Sequence, residues 1–254
     1  MKYLRLQLIM LAAACLLSIL FIPSVAHAWG PLTHIYLGYQ VLEIGAALLP
    51  IGIYRIIKKY KNDFLYGNVS ADIIFGRRFQ GHDKSSHNWH IAWKLLEAAK
   101  TDRQKAFVYG YLSHLGADAV VHNIKKSRVP FGHSILEVKA DSMLDKKYRR
   151  ALKDLDKVMQ KRHDTFLESM LESLMFSFKT NRRIFKGVLF LSRIPNYSPL
   201  SNFIDDRFPF EIPVVDIHNF REQSLSMMLE LLTSGKDSEV TKKHPLGRHI
   251  KKAS

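Results

Sequence analysis

Tyr109-Gly110-Tyr111-Leu112-Ser113-His114-Leu115-Gly116-Ala117-Asp118-Ala119-Val120-Val121-His122-Asn123 is the stretch that decides the fold. His114, Asp118 and His122 recur at steps of four. On an α-helix that spacing stacks three side chains along one face, about a turn apart. Leu112, Leu115, Ala119, Val120 and Val121 fill the intervening positions, so the stripe runs through a buried helix. Burying a carboxylate is costly unless it is paired or holds a cation. Two imidazoles and a carboxylate in line suit a borderline-soft divalent ion such as zinc. The same pattern also describes a core helix with two hydrogen-bonded histidines and a capped aspartate.

Upstream, Thr101-Asp102-Arg103-Gln104 is a capping box that starts this helix. Before it, Ser86-His87-Asn88-Trp89-His90 leads into a helix reaching Lys100, preceded by a polar loop from Gly76 that carries His82 and Asp83. Phe64 to Ile74 reads as a turn bearing one acid, Asp72, just before an apolar pair. Trp29-Gly30-Pro31-Leu32-Thr33-His34 opens a helix with proline in its first turn. Ile35, Leu37, Val41, Leu42, Ile44 and Ala47 continue it at helical spacing, and Pro50 ends or kinks it. A second segment, Ile51 to Tyr60, finishes in Lys58-Lys59-Tyr60-Lys61. The stretch from Val41 to Ile57 is interrupted by Glu43, Pro50 and Arg55, so it reads as core and not as a membrane span.

Downstream, Pro130-Phe131-Gly132 breaks the chain, and His133 and Glu137 follow one turn apart. Residues 141–180 are helical and heavily charged, Phe185 to Ile194 is a further apolar segment, and Asn196 to Pro213 is a long loop. His218 to Ser234 is a last amphipathic helix, followed by a basic flexible tail over 235–254. No repeat and no strand alternation is visible. The expected class is all-α: a single multi-helix domain with a core over 29–140 and a C-terminal helical region, 141–234, packed on it.

Residues 1–28 read as an export signal. Lys2 and Arg5 precede an apolar run from Leu6 to Ile22, and Ala26-His27-Ala28 fits a cleavage site. The alternative is a retained anchor. Cleavage would leave Trp29 first and remove the one cysteine, Cys15, which excludes a disulfide framework. An exported chain implies a periplasmic, envelope or secreted location. The signal holds two of the 38 Lys+Arg and none of the 23 Asp+Glu, so the remaining chain carries 36 − 23 = +13. That charge favours anionic partners, including phospholipid surfaces, nucleic acid and phosphorylated substrates, without choosing among them.

The metal-ligand types concentrate in one half of the chain. In order they are Trp29 with His34; Asp72; His87; His114 with Asp118; His122; and His133 with Glu137. This series resembles the zinc-dependent phospholipase C and single-strand nuclease superfamily over roughly 29–140. The resemblance implies a helical fold and up to three Zn2+ ions. One zinc would take His87, His114 and Asp118, with Asp72 close by as the catalytic group beside the reactive water. A second would take the free amine and carbonyl of Trp29, His34 and Asp118 as a bridge. A third would take His122, His133 and Glu137. The step from Asp118 to His122 is shorter than the family's usual interval, and His82 or His90 stand as alternatives to His87. An α-amino group deprotonates far more readily than lysine, so cleavage before Trp29 would create a ligand.

The reading expected from this site is a phospholipase C-like phosphodiesterase acting on phospholipid headgroups and touching anionic membrane surfaces peripherally. Phe64, Tyr66, Phe75, Phe79 and Phe131 would line its apolar entrance or lie in the core. A nuclease of the same superfamily would instead need exposed aromatics, Trp89 or Trp93, for base stacking. A non-catalytic zinc-binding envelope protein is the third reading.

Overall fold

The computed structural model describes residues 29–74, 86–122, 137, 139–171, 176–193 and 214–246. Its α-helices are α1 (Pro31–Leu48), α2 (Ile51–Lys59), α3 (Lys61–Ser70), α4 (Trp89–Ala98), α5 (Asp102–Val121), α6 (Lys146–Lys153), α7 (Lys157–Glu168), α8 (Phe178–Ser192) and α9 (Val214–Ser234). Short 3-10 turns lie at Ala71–Ile73, Gly235–Asp237 and Glu239–Lys242. No strand occurs among the described residues, and the protein is all-α.

Helix α5 is the axis of the molecule. It starts where the sequence places it: the Thr101 hydroxyl accepts from Gln104 N at 3.2 Å, and the Gln104 side chain accepts from Thr101 N at 3.2 Å. From Ala106 to Val121 nearly every residue is buried, because α2, α3, α4 and α9 all pack on it. The His114–Asp118 stripe therefore faces protein.

The crossing of α3 and α5 is unusually close. A Cβ on Gly67 would overlap the Phe107 carbonyl oxygen and lie 2.9 Å from Tyr111 N. A Cβ on Gly110 would overlap the Phe64 carbonyl oxygen and lie 2.9 Å from Asn68 N. This corrects the turn expected from Phe64 to Ile74. Gly67 serves backbone contact inside a helix there, and only Ala71–Ile73 tightens into a turn.

Two long-range contacts tie the halves of the chain together. The buried Asp141 carboxylate accepts from Leu32 N (3.1 Å), Thr33 N (2.8 Å) and the Thr33 hydroxyl (2.7 Å), capping α1 from 108 residues away. Burial pushes this carboxyl above the usual range against the pull of those donors. The Trp29 indole donates to Ser224 Oγ of α9 at 2.9 Å, and Ser224 Oγ donates to Ala117 O of α5 at 3.2 Å.

Helix α9 begins ahead of His218, where the sequence placed its start. The flexible tail expected over 235–254 is also corrected. The chain through Leu246 is folded, with Val240 buried and Lys243 O accepting from the Trp89 indole at 2.7 Å. Residues 247–254, the expected signal over 1–28 and the loop over 196–213 lie outside the described residues. No described helix is long and apolar enough to cross a membrane.

Candidate metal centre

Five chemically related side chains meet where α1, α3 and α5 converge. His34 comes from the first turns of α1, Asp72 from the 3-10 turn after α3, His87 from the segment entering α4, and His114 and Asp118 from α5. His34, His87, His114 and Asp118 are fully buried, and Asp72 is 6% exposed. One ligand atom each from Asp72, His87, His114 and Asp118 fall within 4.8 Å of one another. His87 Nε2 lies 3.0 Å from His114 Nε2, and both lie 3.2 Å from Asp118 Oδ2. Asp72 Oδ1 is 3.4 Å from His87 Nε2 and 3.7 Å from His114 Nε2. His34 stacks on His114 with ring centroids 3.9 Å apart and puts Nε2 at 3.2 Å from Asp118 Oδ1. Asp118 thus turns one oxygen to His87 and His114 and the other to His34.

The groups around the cluster fix its chemistry. His114 Nδ1 lies 2.8 Å from Asn68 O. A carbonyl only accepts, so Nδ1 carries a proton, and in the singly protonated ring the Nε2 lone pair faces the centre. Tyr111 donates through its hydroxyl to Ser86 O, fixing the segment that delivers His87. Burial, reinforced by His114, lowers the His34 pKa against the pull of Asp118 and Asp72. Burial alone would raise Asp118, but His114 and His34 hold it well below the carboxylate range, so it is ionised. Burial alone would lower His114, yet Asp118 and Asp72 together leave it raised.

These observations fit a divalent cation. Imidazole nitrogens converge at hydrogen-bond distance with a lone pair pointed inward. His34 Nε2 and Asp118 Oδ1, both buried, sit 3.2 Å apart without hydrogen-bonding geometry. Imidazole nitrogens together with the Asp72 and Asp118 carboxylates, all buried, make the mixed nitrogen and oxygen donor set that zinc takes.

His122 is the C-cap of α5 and does not join the four-residue group. Glu137 also stands apart from it, and His133 lies outside the described residues. Trp29 is buried with its indole on Ser224, and the cleavage that would free its amine falls outside the described residues. His90 is exposed in the first turn of α4, whereas His87 is in the cluster; His82 lies outside the described residues. The sequence reading missed Asn68, whose contribution is a main-chain carbonyl and leaves no side-chain signal. It also missed Asp141, a lone acid in a charged stretch.

A helical fold around such a cluster is one able to hold a metal ion. The chain matches the family described as zinc dependent phospholipase C over residues 33–183, more than half of its length, and belongs to that family. The match runs past residue 140, where the ligand series ends, and takes in α6, α7 and the start of α8. No curated protein and no solved structure matches the chain.

Proposed function

We propose that the protein is a zinc-dependent phosphodiesterase that cleaves phospholipid headgroups in the manner of a phospholipase C. The observation that carries this reading is the buried convergence of His34, His87, His114, Asp118 and Asp72 in a member of that family. Bound zinc would supply charge to polarise a phosphoryl oxygen and acidify water. His87, His114 and Asp118 would hold one ion, and His34 would share Asp118 with a second that uses the Trp29 amine after cleavage. His122, His133 and Glu137 are proposed for a third.

The protein's own residues divide the remaining work. Asn68 O holds His114 in the tautomer that presents Nε2. Asp72 is the most exposed member of the cluster, which suits it to meet water and accept its proton as general base. The basic charge and the proposed export to the periplasm, envelope or medium favour an anionic lipid substrate.

The nuclease reading draws less support. Of its two stacking candidates, Trp89 is buried with its indole committed to Lys243 O and offers no stacking face, while Trp93 is half-buried on α4. For the phospholipid reading, Phe64 and Tyr66 prove to be core and not the expected apolar entrance, while Phe75, Phe79 and Phe131 lie outside the described residues.

The test is one preparation assayed for zinc content and for hydrolysis of phospholipids and single-stranded DNA. Phospholipid cleavage that chelators abolish and zinc restores supports the reading. Full zinc with no cleavage of either substrate would leave a metal-binding envelope protein.

A further inference from the structure

The corner between α1 and α2 turns apolar side chains outward. Leu48 is 55% exposed, Ile51 60% and Ile44 36%. The corner is nonetheless well packed: a Cβ on Gly45 would lie 3.0 Å from Leu49 Cδ1 and 3.3 Å from Tyr54 Cδ2. The outward residues are therefore not the product of a loose turn.

Cations flank them. Ile51, Arg55, Lys58 and Lys59 are exposed at helical spacing along one side of α2, and Lys61 opens α3. Among the described residues none of these four cations has a carboxylate within ion-pair distance. Beside them lies a cleft of about 950 Å³ floored by Tyr39, Leu42 and Tyr60. The Lys59 ammonium sits 5.3 Å from the Tyr60 ring centroid and that of Lys61 5.4 Å from Tyr39, so both are held at the rim. Asp63 in the cleft is committed to His163 at 2.7 Å and Arg162 at 3.0 Å. Glu43, the other carboxylate lining the cleft, accepts from Gln40.

We propose that this corner docks the protein on the surface of an anionic phospholipid bilayer. Leu48 and Ile51 enter the interfacial layer while Arg55, Lys58, Lys59 and Lys61 face headgroup phosphates. Charge complementarity selects the occupant. An apolar pair beside unpaired cations matches a negatively charged lipid surface, and the whole chain is basic at +15. His34 and Leu48 lie near opposite ends of α1, roughly 20 Å apart at 1.5 Å per residue. Docking would thus hold the protein at the interface without filling the metal centre. The proposal rests on the phospholipid reading for its purpose, but its measurement does not.

The experiment is co-sedimentation of the purified protein with vesicles of mixed phosphatidylglycerol and phosphatidylcholine, against pure phosphatidylcholine. Wild type should bind the mixed vesicles, and rising salt should weaken binding. Lys58→Gln/Lys59→Gln/Lys61→Gln should weaken it about 100-fold, at about fivefold per lysine. Leu48→Ser/Ile51→Ser should weaken it about tenfold or more. Every substituted residue is exposed, and thermal unfolding checks that the variants fold. Equal binding to both vesicle types, or unchanged binding by the triple variant, would overturn the proposal. Full displacement by inorganic phosphate at constant ionic strength would do so too, by making the cleft a small-anion pocket. Absence of binding to the mixed vesicles would likewise overturn the proposal. Both variants should keep wild-type hydrolysis of a soluble short-chain phosphodiester. If wild type hydrolyses none, the enzymatic reading falls while the vesicle result stands.

Discussion

Replacing Gly67 by alanine should damage stability and metal binding together. The added Cβ would overlap the Phe107 carbonyl oxygen and lie 2.9 Å from Tyr111 N, both backbone atoms of α5. Backbone cannot swing aside as a side-chain tip can, so α3 and α5 must part by roughly 1–2 Å to regain ordinary contact. That opens the packing of Phe64, Tyr66, Phe107 and Tyr111, all fully buried. Overpacking costs about 1–3 kcal/mol, and a clash with backbone belongs at the upper end. At about 2–4 °C per kcal/mol for a chain of this size, the melting temperature should fall by about 6–12 °C. The same separation stretches the 2.8 Å bond from His114 Nδ1 to Asn68 O, which spans the crossing one residue beyond Gly67. Loss of such a supporting bond weakens metal affinity by about 10- to 100-fold. The assays are calorimetry of the metal-free protein and competitive zinc titration. Gly187→Ala in α8 is the control, because no atom lies within 4 Å of its added Cβ. It should gain about 0.5–1 kcal/mol. A Gly67→Ala protein that melts with wild type and binds zinc equally well would refute the close crossing and its link to the site.

Four further outcomes are expected. Asp118→Asn should lose more than one metal ion and all activity, read by elemental analysis beside hydrolysis; full zinc occupancy would end its proposed bridging role. Asp72→Asn should slow turnover by about 10²–10⁴-fold with zinc largely kept, whereas a purely structural acid would leave hydrolysis unchanged. Thr101→Ala should cost about 1 kcal/mol through loss of the cap on α5, seen as a lower urea midpoint. Burial holds His163 below the usual imidazole range despite Asp63. Its contribution to stability is therefore present above about pH 6.5 and is lost as pH falls through its lowered folded value. The acid-side fall in urea midpoint should be shallower in His163→Phe than in wild type, and parallel curves would exclude His163 as a contributor.

The helices were legible wherever one rule governed them. The Thr101–Gln104 box set the start of α5, and Pro31 set that of α1. The four-residue step joining His114 to Asp118 placed both at the centre because α5 is regular there. The turn read over Phe64–Ile74 failed because a glycine that admits a neighbouring backbone looks in sequence like one that admits a bend. The tail beyond Gly235 failed because its burial rests on Trp89, more than a hundred residues away, and no local pattern carries such a contact. Asp72 and His87 come together through tertiary packing, so only their order along the chain, compared with a known family, pointed to them.

The hydrogen-bonded run from the Trp29 indole through Ser224 to Ala117 O has a consequence for biogenesis. It joins the start of the described chain, a helix near its end and the residue before Asp118. Synthesis delivers these parts in order, so a nascent chain that has not yet released α9 lacks the strut behind Asp118. The support behind Asp118 is thus complete only once α9 has folded onto α5.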